Sequence, residues 1–256
     1  MPTEHGSWAW LLVPFSVGAG VARVLNPPLF LTLVAGLSVF LLRQPATVWL
    51  RARRGRARRQ DGQAAVIWIA GLLTLAGLCL IGLLWLGRAA MLWLAGPLVV
   101  VFALYLLASS SGRTALRSQW MELTGAVALS LMAPAALIAA SGRISDETWM
   151  LWGAMALQNL LGALYVRLRV HDTHGRPIGR GAIWGAHLAG LAVVAGMGAW
   201  GTLPSPAIVP FLFFAARITW AAKRPRPIAN IKRFGFTEMG IEFASGAVIV
   251  AGYWLP

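Results

Sequence analysis

Two glutamates near the carboxy terminus, Glu238 and Glu242, stand four residues apart and share one face of any helix that carries them. Carboxylates on an apolar helix must be neutralised by arginine or hold a proton between them. Ion pairing, ligand binding and proton handling are therefore the chemistries open to this pair, and they are its candidate catalytic groups. The cations Lys223, Arg224, Arg226, Lys232 and Arg233 lead into it, with Pro225 and Pro227 keeping that stretch extended. A second constellation is Arg113 and Arg117, again i,i+4, which can grip one anion together. Glu122 follows about a turn and a half into the next helix and calls for an arginine partner there.

A third group comprises Gln158, Asn159, Tyr165, Arg167 and Arg169. The two amides fall mid-span, where ligand contact and interhelical hydrogen bonding are both open readings. Arg167 and Arg169 are two residues apart and point to different faces, so at most one can face a cavity. At the amino terminus Glu4 and His5 place an acid and a titratable base where the first helix enters the membrane. Ser7 beside them can cap that helix, and Trp8 and Trp10 can anchor it at the interface. His171, Asp172 and His174 lie together, but no further ligand cluster supports them, so they read as a solvated loop. No metal is assigned, and the residues name no cofactor.

The elements that must position these groups are membrane spans. A spanning helix needs roughly 20 mostly apolar residues. Segments 8–24, 28–42, 64–87, 90–108, 120–140, 148–166, 182–203, 205–222 and 239–254 are the candidates, the second being short and needing Arg43 and Gln44-Pro45-Ala46 at or inside the boundary, which gives about nine helices in one integral membrane domain, 1–256. The connections alternate between very short ones and long basic ones at 43–63, 109–119, 167–181 and 223–238. Of the 22 arginines and lysines, all but Arg23, Arg88 and Arg143 fall on the long-loop side. The positive-inside rule then puts the amino terminus in the cytoplasm and the carboxy terminus outside, as an odd number of spans requires.

Composition agrees. Of 256 residues 58% are hydrophobic and 12% charged, against about 25% charged in a soluble domain. Such a chain cannot coat a water-soluble surface, which excludes a soluble enzyme, a disordered chain and a disulfide-built secreted domain. The net charge of +14 would point to nucleic acid in a soluble protein. Here it is a one-sided topology signal that also touches anionic headgroups, and the run 51–59 lacks the interleaved aromatics of a nucleic-acid reader. The single Cys79 excludes an intramolecular disulfide. The first apolar segment, preceded by an acidic terminus, reads as a retained span and not as a cleaved signal. There is no phosphate-binding loop, His-Glu-x-x-His, Cys-x-x-Cys or Gly-x-Ser-x-Gly, so ATP-driven work, zinc proteolysis and serine hydrolysis have no support.

The opening Pro2-Thr-Glu4-His5-Gly6-Ser-Trp8-Ala-Trp-Leu-Leu-Val-Pro14-Phe resembles the signature opening of the YwiC-like family of bacterial integral membrane proteins. The tail Arg224-Pro-Arg-Pro, with Lys232-Arg-Phe-Gly235-Phe-Thr-Glu238, is similar to the same family. That resemblance implies a membrane location. A more distant one is to the UbiA prenyltransferase fold, in the helix order and in Tyr105-Leu-Leu-Ala-Ser-Ser-Ser-Gly-Arg113 followed by Leu123-Thr-Gly125. UbiA-type enzymes hold magnesium and a prenyl diphosphate with aspartate-rich motifs after the second and sixth helices. The corresponding segments here, 43–51 and 158–169, contain no aspartate and carry arginines instead. Magnesium needs carboxylate oxygens, whereas arginines bind an anion directly.

The resulting expectation is an all-α, polytopic, UbiA-like bundle of the bacterial inner membrane. Its cytoplasm-facing basic cavity would be lined by Arg43, Arg113, Arg117, Asn159, Tyr165, Arg169, Arg226, Lys232 and Arg233, with Glu4, His5, Glu238 and Glu242 as acid–base groups. Its ligand would be an amphipathic anion: an isoprenoid or lipid phosphate, or a quinone-like or haem-like molecule. Membrane lipids are the other expected partners, and nucleic acid is not one. If the protein is an enzyme, it is a divergent prenyltransferase-like transferase. Two alternatives stand beside this reading: a proton-coupled secondary transporter of a small anion, and a subunit that assists assembly of a membrane complex.

Overall fold

A computed structural model describes residues 5–55, 57–110 and 119–255. Ten α-helices carry the described chain: α1 (His5–Ala22), α2 (Pro27–Arg53), α3 (Arg59–Trp85), α4 (Ala95–Ser110), α5 (Gln119–Leu129), α6 (Met132–Ser141), α7 (Asp146–Thr173), α8 (Arg180–Ala199), α9 (Ile208–Lys223) and α10 (Ile231–Trp254). Each of the nine predicted spans is helical, and no strand occurs among the described residues. The fifth span is broken into α5 and α6 at Ser130 and Leu131. Pro134 has no N–H for the Ser130 carbonyl, and Ala133 donates to it instead at 3.0 Å. The Ser130 hydroxyl folds back on the Val127 carbonyl at 2.6 Å, so the helix restarts one turn later.

Six segments are long and apolar enough to cross a membrane: Pro27–Arg53, Arg59–Trp85, Trp120–Ser141, Arg180–Ala199, Ser205–Lys223 and Ile231–Trp254. Ser7–Ala22 and Ala89–Leu104 are apolar but shorter. The chain is a multi-pass membrane protein. Helix α7, though 28 residues long, falls outside the set because it carries Gln158, Asn159, Arg167, Arg169 and Asp172. It can be polar because its surroundings are protein: Leu151, Ala154, Met155, Gln158 and Asn159 are fully buried. Helix α3 is the opposite case. It packs mainly on α2, and Ile67, Trp68, Leu78, Ile81 and Trp85 stand exposed along it. Lipid is the solvent for that surface.

The basic stretch 43–63 differs from the expected loop. Helix α2 continues through Gln44 and Pro45 to Arg53, and α3 resumes at Arg59. At about 1.5 Å per residue, α2 is roughly 40 Å long against a hydrocarbon core of about 30 Å. The arginines therefore ride on the end of a helical hairpin that overshoots the bilayer. Segment 167–181 differs likewise, since α7 runs on to Thr173 before turning.

At the opposite end two of the three remaining arginines cap helix ends. Arg88 donates through Nε to the Ala139 carbonyl at 2.7 Å and through a terminal nitrogen to that of Ala140 at 3.3 Å. Gly142, with φ of 78°, turns the chain there and leaves room for the guanidinium, which lies where a Cβ would be. Arg23 donates to the Tyr253 carbonyl while Trp254 donates to that of Gly20, pinning α1 to the end of α10. The core clusters where α1, α6, α7, α9 and α10 meet, around Val13, Leu137, Met155, Phe211 and Ile249.

Candidate functional site

Gln158, Gly162, Tyr165 and Arg169 of α7, spaced by four, three and four residues, form one stripe along the helix. On α10 the facing stripe is Glu238, Glu242 and Ser245, all buried. Arg217 of α9, His187 of α8 and Trp10 of α1 complete the seam.

Its strongest bond joins Arg217 to Glu238 Oε2 at 2.7 Å, with each side chain only 11% exposed. The guanidinium lies 3.7 Å from the centre of the Tyr165 ring and within 6 Å of the Phe213 and Phe214 rings. An aromatic cage of this kind holds a cation by its ring faces where water is scarce. Arg169 reaches the Tyr165 hydroxyl at 3.4 Å and lies over Phe234, which stacks on Tyr165. One turn deeper, Glu242 packs against Gly162, where an added Cβ would stand 2.5 Å from Oε1. The Trp10 side chain lies beside that of Glu242, and Gln158 donates to the Glu242 backbone carbonyl at 3.2 Å. The His187 ring bonds the Ile183 carbonyl through Nδ1 at 2.8 Å, leaving Nε2 buried without a partner.

Asn159 has a structural task. Pro14 cannot donate to the carbonyl four residues before it, that of Trp10. The Asn159 amide supplies that donor at 3.0 Å and also bonds the Ala126 carbonyl at 3.0 Å, next to the break between α5 and α6. Both its N–H groups are thereby engaged in tying α7 to α1 and α5.

The sequence-predicted residues thus divide. Tyr165, Arg169, Glu238 and Glu242 come together, and Asn159 joins them from the flank. Arg43 sits on α2 with its guanidinium 5.6 Å from the Phe40 ring centre. Arg226, Lys232 and Arg233 are exposed, Arg226 over Trp220. Glu4, Arg113, Arg117 and the side chain of His5 lie outside the described residues. Arg167 meets Glu122 at 3.2 Å, the arginine partner that the glutamate called for, while Arg169 points the other way. Asp172 does not lie in a solvated loop. Its side chain is buried at the end of α7 and paired with Arg180, which also bonds the Ala221 carbonyl.

Arg217, His187 and Trp10 escaped the sequence reading of the site. For Arg217 the signal was present: an arginine inside an apolar helix is a site residue by default. In the count of charges by side it falls with the basic loop after it. His187 lies alone within the segment 182–203, and Trp10 reads as an interfacial anchor.

The sequence model of the YwiC-like protein family matches residues 1–137. The chain belongs to the YwiC-like family. No curated protein matches this YwiC-like chain, and no solved structure matches it. The matched part spans α1 to α5 and most of α6, and it contributes Trp10 and the Ala126 carbonyl to the seam. The ionisable residues of the seam lie beyond it, on α7 to α10.

Proposed function

We propose that this membrane bundle binds an amphipathic anion where Arg169 and Arg217 meet, and couples that binding to uptake of a proton by Glu238. The buried Arg217–Glu238 pair carries the reading. An incoming phosphate or carboxylate can take the place of Glu238 on the guanidinium fork with the same kind of bond. Glu238, left without its cation in surroundings that disfavour a bare charge, then takes a proton. One anion and one proton enter together, and the net charge of the buried set does not change. The charged groups facing Glu238 are Arg217 on α9, Arg169 on α7 and Glu242 one turn along α10, while His187 on α8 faces Arg217.

Arg226, Lys232 and Arg233 supply a positive margin that gathers anions. In this reading Arg43, Arg113 and Arg117 reach the same side of the membrane. The protein lies in the bacterial inner membrane with a UbiA-like order of helices, its amino terminus in the cytoplasm and its carboxy terminus outside. A proton-linked carrier is favoured over a transferase because segments 43–51 and 158–169 offer no carboxylate for a magnesium–diphosphate bridge.

The test uses decyl sulfonate, an amphipathic anion whose charge does not titrate, bound to protein reconstituted in vesicles. Its affinity should weaken by up to about tenfold per pH unit as pH rises, because one proton accompanies each anion. Glu238→Gln should bind without pH dependence, and Arg217→Gln should lose binding. Affinity in the natural protein that ignores pH, or that survives Arg217→Gln, sinks the reading.

A further inference from the structure

Three buried oxygens in the seam have no hydrogen-bond donor: Glu242 Oε2, Gln158 Oε1 and Asn159 Oδ1. Glu242 is 7% exposed and the two amides are 0% exposed. The amides cannot be turned over. The Asn159 nitrogen faces the carbonyls of Trp10 and Ala126, and the Gln158 nitrogen faces that of Glu242, so a flip would set oxygen against oxygen. Contacts among these residues close a ring. Gln158 bonds the Glu242 backbone, the Trp10 side chain lies beside the Glu242 carboxylate, the Trp10 carbonyl bonds Asn159, and Asn159 follows Gln158 in the chain. The α5–α6 break, beside Ala126, borders it.

We infer that Glu242, Gln158 and Asn159 form a site for a sodium-sized monovalent cation. Each of these three atoms is a hard oxygen acceptor, the ligand type that such cations take. With one carboxylate, the site matches a single positive charge, whereas a divalent ion would leave a net charge in the apolar interior. The Arg217 guanidinium gives a terminal nitrogen to Glu238. This inference does not rest on the anion exchange proposed above, which uses a different carboxylate.

The full chain in detergent, melted in sodium chloride and in choline chloride at equal ionic strength, provides the test. Sodium should raise the melting temperature along a saturating curve, at lower concentrations than potassium needs. Glu242→Gln should abolish that shift. Gln158→Leu, which removes a ligand and no charge, should move the curve to higher sodium and serves as the check should Glu242→Gln not fold. Equal melting in sodium and choline overturns the site, and so does a shift that persists in Glu242→Gln. A melting temperature that follows pH identically in both salts means that a proton is the occupant, and overturns it as well. Failure here with decyl sulfonate binding intact leaves the anion proposal standing, and the reverse result leaves the cation site standing.

Discussion

At the scale of single residues, the seam is governed by the Arg217–Glu238 pair and by the close packing of Glu242 on Gly162. Arg217 and Glu238 neutralise one another, so removing one strands the other. Arg217→Ala alone should cost about 3–5 kcal/mol of stability, whereas Arg217→Ala with Glu238→Ala should cost less than the two single changes combined. Denaturant titration of the four proteins checks this, and strict additivity would contradict a mutual pair. Gly162 makes the smaller and cleaner case. A methyl group there meets Glu242 Oε1 at 2.5 Å, so Gly162→Ala should destabilise by about 1–3 kcal/mol even though alanine favours helices. A more stable Gly162→Ala protein would mean that Glu242 lies elsewhere.

At the scale of elements, proline and its compensation set the architecture. Pro14 frees the Trp10 carbonyl, and Asn159 answers it from α7. Asn159→Leu leaves the Trp10 carbonyl without a donor, while that of Ala126 keeps the Ser130 amide, and should cost about 1–3 kcal/mol. In a Pro14→Ala background the helix supplies its own donor to Trp10, so the same change should cost measurably less. Equal costs in both backgrounds would refute the link. Arg88 plays a comparable part for α6, and Arg88→Ala should lower the melting temperature by taking the donor from the Ala139 carbonyl, while that of Ala140 keeps Asn26.

At the scale of the whole molecule, the prediction concerns sidedness. In a Cys79→Ser background, cysteines at Arg53 and Arg58 should react with an impermeant thiol reagent from the cytoplasmic side, and a cysteine at Arg143 from the other. All three are exposed, and native Cys79 is buried, so the labels report the engineered positions. Labelling of Arg53 and Arg143 positions from one side would break the odd-span topology.

How much was legible beforehand follows from what each signal depends on. Helix existence and approximate place were readable in all nine segments, because twenty apolar residues in a row have one economical conformation in lipid. Helix ends were readable only where the signal is local. Asn26 before Pro27 starts α2 by capping the Leu29 amide, but nothing local stops α2 at Leu42, and it runs to Arg53 through its packing on α3. The pairing of Glu122 with an arginine could be expected from the cost of a lone intramembrane charge, though not that Arg167 would be the partner. Arg217 was visible as an arginine in an apolar run, yet only its placement beside Glu238 and Tyr165 separates it from the basic loop that follows. The chain by itself determined the solvent, the class of element and the one-sided charge, since these depend on composition and on near neighbours. Which carboxylate is matched by arginine and which is left with bare oxygens around it was decided by the tertiary structure. Burial and hydrogen-bond geometry are properties of the space between helices, and residues as distant as Trp10 and Glu242 share that space only after folding.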